Sequence, residues 1–186
     1  RVIYNAKEKF GGRSFNNAIR DCPDLLETIV GIIIRFREKS IAVVADIRAF
    51  FNRVWIPKDH ADYLRYVWFE DEKMQVMKHY RMLCQFFGSV VAQAASITAR
   101  NRAIRDAVAV GIMTEEEAEY CIRMFYSDDY FGSHDLVHEA VRTSQKLTEA
   151  LAGGGFELVK FKSNCSQVTD QLKVLNGPVE GKSYDN

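Results

Sequence analysis

Apolar residues along this chain repeat with two different periods, and the changes of period divide it into predicted helices and strands. The predicted strands are residues 1–6, 41–46, 121–126, 130–131 and 156–161, with a hairpin over 64–69 and 74–83. The predicted helices are residues 23–37, 90–110 and 136–151, with a helical turn after Pro57 and a loop over 11–17. Thr114 and Glu117 have the spacing of a capping box. From residue 41 onward, the order is strand, helix, hairpin, helix, strand, which is the split βαβ, ferredoxin-like arrangement of an α+β protein.

The composition is that of a folded protein rather than a disordered one, because 47% of the 186 residues are hydrophobic and 27% are charged. Lys and Arg number 25, as do Asp and Glu, so the formal net charge is zero, whereas nucleic-acid binders are often basic. Residues 1–40 nevertheless carry eight basic and five acidic side chains, a surplus that weakly favours a nucleic-acid path. The four cysteines lie far apart, which argues against a zinc knuckle and a disulfide framework and favours a reducing compartment.

No segment of the sequence has the pattern of a membrane span or of a secretory signal. The most apolar stretch, residues 29–36, is too short to cross a bilayer and contains Arg35. We therefore expect an intracellular protein with no membrane partner. The chain begins at Arg1 rather than Met and ends at Asn186, so we expect it to be part of a longer protein.

Three carboxylates from distant parts of the sequence are expected to meet at one edge of the predicted sheet. Right-handed crossovers place the strand ending at Asp46 beside the hairpin that carries Asp128 and Asp129. Such a cluster suits phosphoryl transfer, in which two metal ions clamp the attacking and leaving oxygens. Mg²⁺ needs only one or two protein carboxylates, because water and phosphate oxygens complete its shell. Each feature also has a structural explanation, since Asp is common in turns and at helix N-caps.

These residues lie in motifs that resemble those of reverse transcriptases. Tyr126-Ser-Asp-Asp129 resembles the Tyr-x-Asp-Asp box, and residues 44–54 resemble the Asp-containing strand and the turn that follows it. Further motifs resemble the polymerases of BEL/Pao-type LTR retrotransposons, and they are Arg1–Ala6, Gly11–Asn16, Pro23–Leu26, Arg35–Arg37, Ala45–Ile47, Phe87-Gly88 and Gly154–Lys160. The resemblance extends in order over roughly residues 1 to 165.

The resemblance implies a fold and a domain organisation. The fold would be a polymerase palm with a ferredoxin-like split βαβ core plus partial fingers. Residues 1–40 would be a partial fingers segment, and residues 41–165 the catalytic palm with a fingers insertion around 57–86. Residues 166–186 would begin a truncated C-terminal connection.

The resemblance also implies roles for the acidic residues and for the Tyr126 box. Asp46 and Asp128 would be the main metal ligands and Asp129 an auxiliary one, and all three would be catalytic. They would hold two Mg²⁺ ions, for which Mn²⁺ could substitute. Tyr126 and Ser127 would contact the primer.

Four further residues would bind the incoming nucleotide. Arg1 would reach the triphosphate, and Phe51 would lie under the sugar and exclude a 2′-hydroxyl. Gly88 would let the chain pass close to the template–nucleotide pair, and Lys160 would lie near the leaving pyrophosphate.

The implied function is that of the catalytic core of an RNA-directed DNA polymerase from a retrotransposon polyprotein. Its partners would be an RNA or DNA template with a primer, deoxynucleoside triphosphates, and protease, ribonuclease H and integrase domains of the same gene, in the cytoplasm or a virus-like particle. The sequence departs from the family at Asn5, at Gln93 in Ala92-Gln93, and at Ser127, where Asp, Ser-Pro and a bulkier apolar residue are usual. Two alternatives stay open: a decayed or repurposed polymerase-fold module that binds nucleic acid without activity, and an unrelated ferredoxin-like domain with a fortuitous acidic turn.

Overall fold

A computed structural model describes residues 4–20, 22–71 and 73–176 of the chain. The α-helices and β-strands, in chain order, are β1 (Lys9–Phe10), β2 (Arg13–Ser14), α1 (Phe15–Ala18), α2 (Ile29–Phe36), β3 (Ile41–Ile47), β4 (Arg65–Phe69), β5 (Met77–Arg81), α3 (Ala92–Ala109), α4 (Glu115–Arg123), β6 (Phe125–Tyr126), β7 (Asp129–His134), α5 (Val137–Gly153), β8 (Leu158–Ser163) and α6 (Ser166–Leu172). Short 3-10 helices occupy Phe50–Arg53, Ala61–Tyr63 and Lys173–Asn176. Helices and strands mix along the chain, which confirms the predicted α+β class.

The chain divides into two compact units that each combine separate stretches of sequence. The first comprises Arg1–Leu25 and Ala49–Ser96, and the second comprises Leu26–Arg48 and Ile97–Asn186. Helix α2 therefore belongs with the second unit rather than with the N-terminal residues. Among the helices of the described residues, none combines the length and the apolarity needed to cross a bilayer.

The second unit is built on a four-stranded antiparallel sheet with the strand order β6-β7-β3-β8. Numbered by their order in the chain, these strands lie in the order second, third, first, fourth. Strand β3 is internal because it pairs with β7 on one side and with β8 on the other, and its alternate residues Ile41, Val43, Ala45 and Ile47 are buried. Helix α5 contacts β3, β7 and β8, and its buried Leu147 and Leu151 contribute to the core beneath the sheet.

Strand β3 agrees with its prediction, whereas the segment before the acidic hairpin is mostly helical where a strand was predicted. The strand predicted over 41–46 is confirmed, as is the capping box, in which Thr114 and Glu117 each accept a backbone N–H from the other. The strand predicted over 121–126 is wrong, because α4 continues to Arg123 and only Phe125–Tyr126 is extended. Cys121 and Ile122 are buried on a helix face, where neighbouring apolar residues mimic a strand.

Other predictions hold with shifted boundaries or are wrong in detail. The hairpin over 64–83 and the long helix after Gly88 are confirmed, as are the helix and strand that follow Leu136. Helix α2 begins at Ile29 rather than near Pro23, because Thr28 is its N-cap and accepts the N–H of Gly31. The loop predicted over 11–17 contains β2 and most of α1. Of the strand predicted over 1–6, the described residues 4–6 are not extended in a sheet.

The first unit contains the β1–β2 and β4–β5 ribbons and a group of aromatic rings. Tyr4 packs edge-on against Tyr66 and also contacts Phe86, with ring centroids 5.7 and 5.2 Å apart. Tyr66 and Tyr80 lie opposite each other on β4 and β5 and stack at 5.6 Å. These contacts fix the ribbon to the start of the described chain, and such aromatic pairs stabilise a fold beyond the area that they bury.

Candidate carboxylate site

The end of strand β3 brings Asp46 next to the acidic hairpin. Alternation along β3 turns Asp46 away from the buried face, and its side chain is 22% exposed. In the antiparallel register, Asp46 lies directly opposite Asp129, the first residue of β7. Residues directly opposite each other on neighbouring strands project from the same face of the sheet. Two carboxylates, 83 residues apart in sequence, are therefore cross-strand neighbours.

The hairpin that carries the acidic pair turns at Ser127 and Asp128. We predicted a turn over residues 127–129, but Asp129 already lies in β7 and pairs with Tyr126 of β6. Ser127 adopts a left-handed conformation, with φ of 54°, which is uncommon for a residue other than glycine. The backbone N–H of Ile47 donates to the Asp128 carbonyl oxygen at 3.0 Å, which ties the turn to the end of β3. The structure brings Asp46, Asp128 and Asp129 together, while the division of roles between Asp128 and Asp129 stays a prediction.

Lys160 reaches the same cluster because of an irregularity in strand β8. The pairing of β3 with β8 shifts between Val44 and Asp46, so that two residues of β8, Lys160 and Phe161, fall opposite Ala45 alone. Lys160 is left-handed at this bulge, with φ of 60°. Its ammonium forms an ion pair with the Asp46 carboxylate. An open depression of about 420 Å³ is lined by Asp46, Asp129 and Lys160 together with neighbouring residues of β3, β7 and β8.

Like charges dominate the electrostatics of the cluster. The pKa of Asp129 is raised above its usual range by partial burial and by the negative charges of Asp128 and Asp46. Lys160 opposes this shift. The raised pKa means that the folded state holds the ionised form of Asp129 less favourably than water does. A cluster of carboxylates with a perturbed pKa is a candidate functional site, because such perturbations are common where charged groups bind ligands or carry out chemistry.

The raised pKa of Asp129 predicts that removing its charge stabilises the fold. A carboxyl with a raised folded-state pKa weakens the fold above that pKa, and the penalty disappears as the pH falls toward 3.8, the ordinary value. We therefore expect Asp129→Asn to raise the thermal midpoint near neutral pH, with a difference that shrinks on acidification. Asp135→Asn is the control, since Asp135 is paired with Lys39 at 3.0 Å. A lower midpoint for Asp129→Asn than for wild type would contradict this account.

Arg100 is a buried cation beside the acidic turn that was not predicted from the sequence. Its side chain lies on α3 between Ile97 and Ile104 and is only 3% exposed. Its Nη1 donates to the Ser127 carbonyl oxygen at 2.5 Å, and the guanidinium lies 4.4 Å from the centroid of the Phe125 ring. Burial lowers the pKa of Arg100 to about 10, although the charges of Glu27 and Asp128 act in the opposite direction. The spacing of Arg100 from Ile97 and Ile104, by three and four residues, was the signal that could have revealed it.

Two of the expected nucleotide-binding residues lie in the first unit. Gly88 has φ of 113°, and a Cβ there would lie 2.9 Å from the Tyr4 carbonyl oxygen, so the position requires glycine. Its own carbonyl accepts a hydrogen bond from the Asn16 amide at 2.9 Å. The Phe51 ring is half-buried against Phe50 and Phe87. The predicted roles of Gly88 and Phe51 in nucleotide binding stay predictions.

Of the remaining positions singled out from the sequence, the structure describes Asn5, Gln93 and Tyr126. Arg1 lies outside the described residues, so its expected contact with a triphosphate stays a prediction. Asn5, where the resembling family has Asp, receives the Lys7 backbone N–H at 3.3 Å and donates to Glu8 at 3.0 Å. Gln93 is the second residue of α3, and Tyr126 is half-buried in β6.

The donor chemistry at this sheet edge fits a hard divalent cation. In the described part of the chain, no group of three or more His, Cys, Asp or Glu side chains is arranged to hold a metal ion. Asp46 and Asp129 nevertheless supply two carboxylates on one face, which is the number that Mg²⁺ ordinarily takes from a protein. The Lys160 ammonium at Asp46 shows that a cation can be accommodated there.

Neither the protein-family models nor the curated proteins include a match to this sequence.

Proposed function

We propose that this chain is the catalytic core of a reverse transcriptase, which extends a primer 3′ hydroxyl along an RNA or DNA template. The observation that carries the proposal is the register that sets Asp46 opposite Asp129, with Asp128 in the adjoining turn. A carboxylate at a strand end facing a two-carboxylate hairpin is what a two-metal nucleotidyl transfer requires. The four-stranded sheet order supports a palm of the ferredoxin-like, split βαβ type.

The residues of the site have distinct tasks under this proposal. Asp46, Asp128 and Asp129 would hold Mg²⁺, or Mn²⁺ in its place, which when bound polarises the reacting phosphate and lowers the pKa of the attacking hydroxyl. Lys160 would neutralise anionic charge at the edge of the depression. Arg100 fixes the position of the turn through the Ser127 carbonyl. Because Asp46 and Asp129 lie on paired strands and Arg100 holds the turn, the carboxylates need little reorganisation when a substrate binds.

The substrate contacts outside the carboxylate cluster follow from the resemblance of the motifs. Phe51, five residues beyond Asp46, would contact the sugar of the incoming deoxynucleotide and exclude a 2′-hydroxyl. Gly88 would adjoin the template–nucleotide pair, and Arg1 would bind the triphosphate. Tyr126 and Ser127 would contact the primer terminus. These assignments extend the proposal to partners: a template with its primer, deoxynucleoside triphosphates, and other domains of a retrotransposon polyprotein.

The proposal predicts metal-dependent primer extension. The 186-residue chain is incubated with a primed RNA template, deoxynucleoside triphosphates and Mg²⁺ or Mn²⁺, and extension is followed on a denaturing gel. We expect extension that EDTA abolishes and that excess metal restores. The same chain joined to the fingers and thumb of an active polymerase from the resembling family serves as a second test. Absence of extension in both forms would contradict the proposed activity.

A second candidate is a polymerase-fold module that binds nucleic acid without catalysis. The ion pair between Lys160 and Asp46 favours it, because metal can bind this carboxylate only if the ion pair is broken. The departures at Asn5, Gln93 and Ser127 point the same way. Binding of a primed template without extension in any metal would support this candidate over the first.

A further inference from the structure

We propose that the Lys160 ammonium is the resident cation of the carboxylate cluster, and that a divalent metal ion reaches Asp46 by displacing it. This inference rests on the proposed function of the site and adds a form of regulation to it. The site would then exchange between two states, which differ in whether Asp46 is paired with the ammonium or with a metal ion. One state has Lys160 on Asp46, and the other has metal on Asp46 and the ammonium released.

The geometry of the bulge supports the first state. Lys160 is opposite Ala45 together with Phe161, and its left-handed backbone lets its side chain reach the neighbouring Asp46. The Asp46 carboxylate is mostly enclosed, at 22% exposure, so a cation has few directions from which to approach it. The ammonium occupies one of them. The Lys160 side chain is 72% exposed and long, so it can leave into water at little cost.

The charges of the cluster explain why a cation is needed before the metal arrives. Asp46 lies directly opposite Asp129, Asp128 adjoins them in the turn, and the Lys160 ammonium is paired with Asp46. A metal ion supplies more positive charge than the ammonium does, so exchange improves the balance of charge. The released ammonium is then available to an anionic group at the depression, such as the phosphates of a nucleotide. Lys160 would thereby link the loading of metal to the binding of the triphosphate.

The test is the affinity of the 186-residue chain for Mn²⁺ alone, measured from the loss of the free-ion signal in electron paramagnetic resonance. An exposed ion pair contributes little, so we expect Lys160→Met to bind Mn²⁺ roughly three- to tenfold more tightly than wild type. Lys39→Met is the matched control, because Lys39 also pairs with a carboxylate, that of Asp135, just beyond the end of β7 opposite to Asp129. We expect its affinity to equal that of wild type. Lys160→Arg keeps the charge and should stay within about twofold of wild type.

A second measurement follows the exchange without any substitution. The ¹⁵Nζ resonance of Lys160 should move on addition of Mg²⁺, whereas that of Lys39, which pairs with Asp135, should not. If wild type binds Mn²⁺ and Lys160→Met binds it with the same affinity, the exchange is wrong but the metal site is supported. The same conclusion follows if wild type binds metal and the Lys160 resonance does not move. If neither wild type nor Lys160→Met binds Mn²⁺, the metal site fails, and the proposed activity fails with it.

Discussion

Asp46→Asn is expected to abolish primer extension by any active form of this chain. The substitution keeps the size of the side chain and removes the charge that faces Asp129 across the sheet. Removing one preorganised electrostatic group from an active site commonly costs roughly a hundred- to a thousandfold in rate. A metal ligand also fixes the geometry of the site, so we expect a loss of about a thousandfold or more. The rate of single-nucleotide addition at saturating template measures it.

Asp135→Asn provides the control for that experiment. It makes the same chemical change beside the opposite end of β7, where Asp135 pairs with exposed Lys39. We expect extension by this variant within about twofold of wild type, because a surface ion pair contributes little. The affinity for Mn²⁺ should fall in Asp46→Asn and should not change in Asp135→Asn. Near-normal extension by Asp46→Asn would remove this carboxylate from the chemistry and favour a fortuitous acidic turn.

Arg100→Met is expected to cause the largest loss of stability among the substitutions considered. Methionine fills much of the space but cannot donate to the Ser127 carbonyl or to the Asn101 side chain, which accepts from Arg100 at 2.8 Å. Leaving acceptors without partners costs about 1–3 kcal/mol each when they are buried and less for these partly buried ones, and the loss is partly offset because a buried charge is also removed. We expect a net loss of about 2–4 kcal/mol in the free energy of unfolding, measured by urea denaturation.

Two matched variants separate the contribution of Arg100 from general effects on α3. Arg102→Met removes an exposed arginine of the same helix, which pairs with Asp106 at 2.6 Å, and should cost about 0.5 kcal/mol or less. Arg100→Lys keeps the charge but loses the planar fork over Phe125, so its loss should lie between the other two. Equal effects of Arg100→Met and Arg102→Met would show that the buried contacts do not stabilise the turn.

The sequence predicted those parts of the fold that depend on local pattern. Strand β3 was predictable from its apolar run, which is interrupted by Asp46. The β4–β5 ribbon was predictable because two runs that contain aromatic and other apolar residues flank a charged turn. For helix α4, only the capping box at its start was predicted, and its last turn was predicted as a strand because Cys121 and Ile122 are apolar neighbours in either type of structure. Local period alone cannot separate a short buried strand from the last turn of a helix.

The acidic members of the candidate site were predictable, and the motif resemblance also pointed to Lys160, but neither the contact of Lys160 with Asp46 nor the burial of Arg100 was predicted. Topology brings Asp46 to the hairpin, and any sequence with that strand order would do the same. The contact of Lys160 with Asp46 depends instead on a bulge in the pairing of two strands that are far apart in the sequence, and no local sequence pattern predicts such a bulge. Arg100 was overlooked because an arginine in a helix is ordinarily exposed, and only the tertiary packing buries this one.

The bulge at Lys160 also affects how the molecule behaves at high concentration. Strand β8 is an outer strand of the sheet in the described part of the chain, and an outer strand with a regular backbone invites pairing with another copy. The left-handed residue interrupts the row of backbone donors and acceptors, and Lys160 and Lys162 add charge beside it. Edge-to-edge aggregation through β8 would have to flatten this irregularity and bring lysines of two chains together. The backbone feature that delivers an ammonium to Asp46 thus also keeps the sheet from growing into a neighbouring molecule.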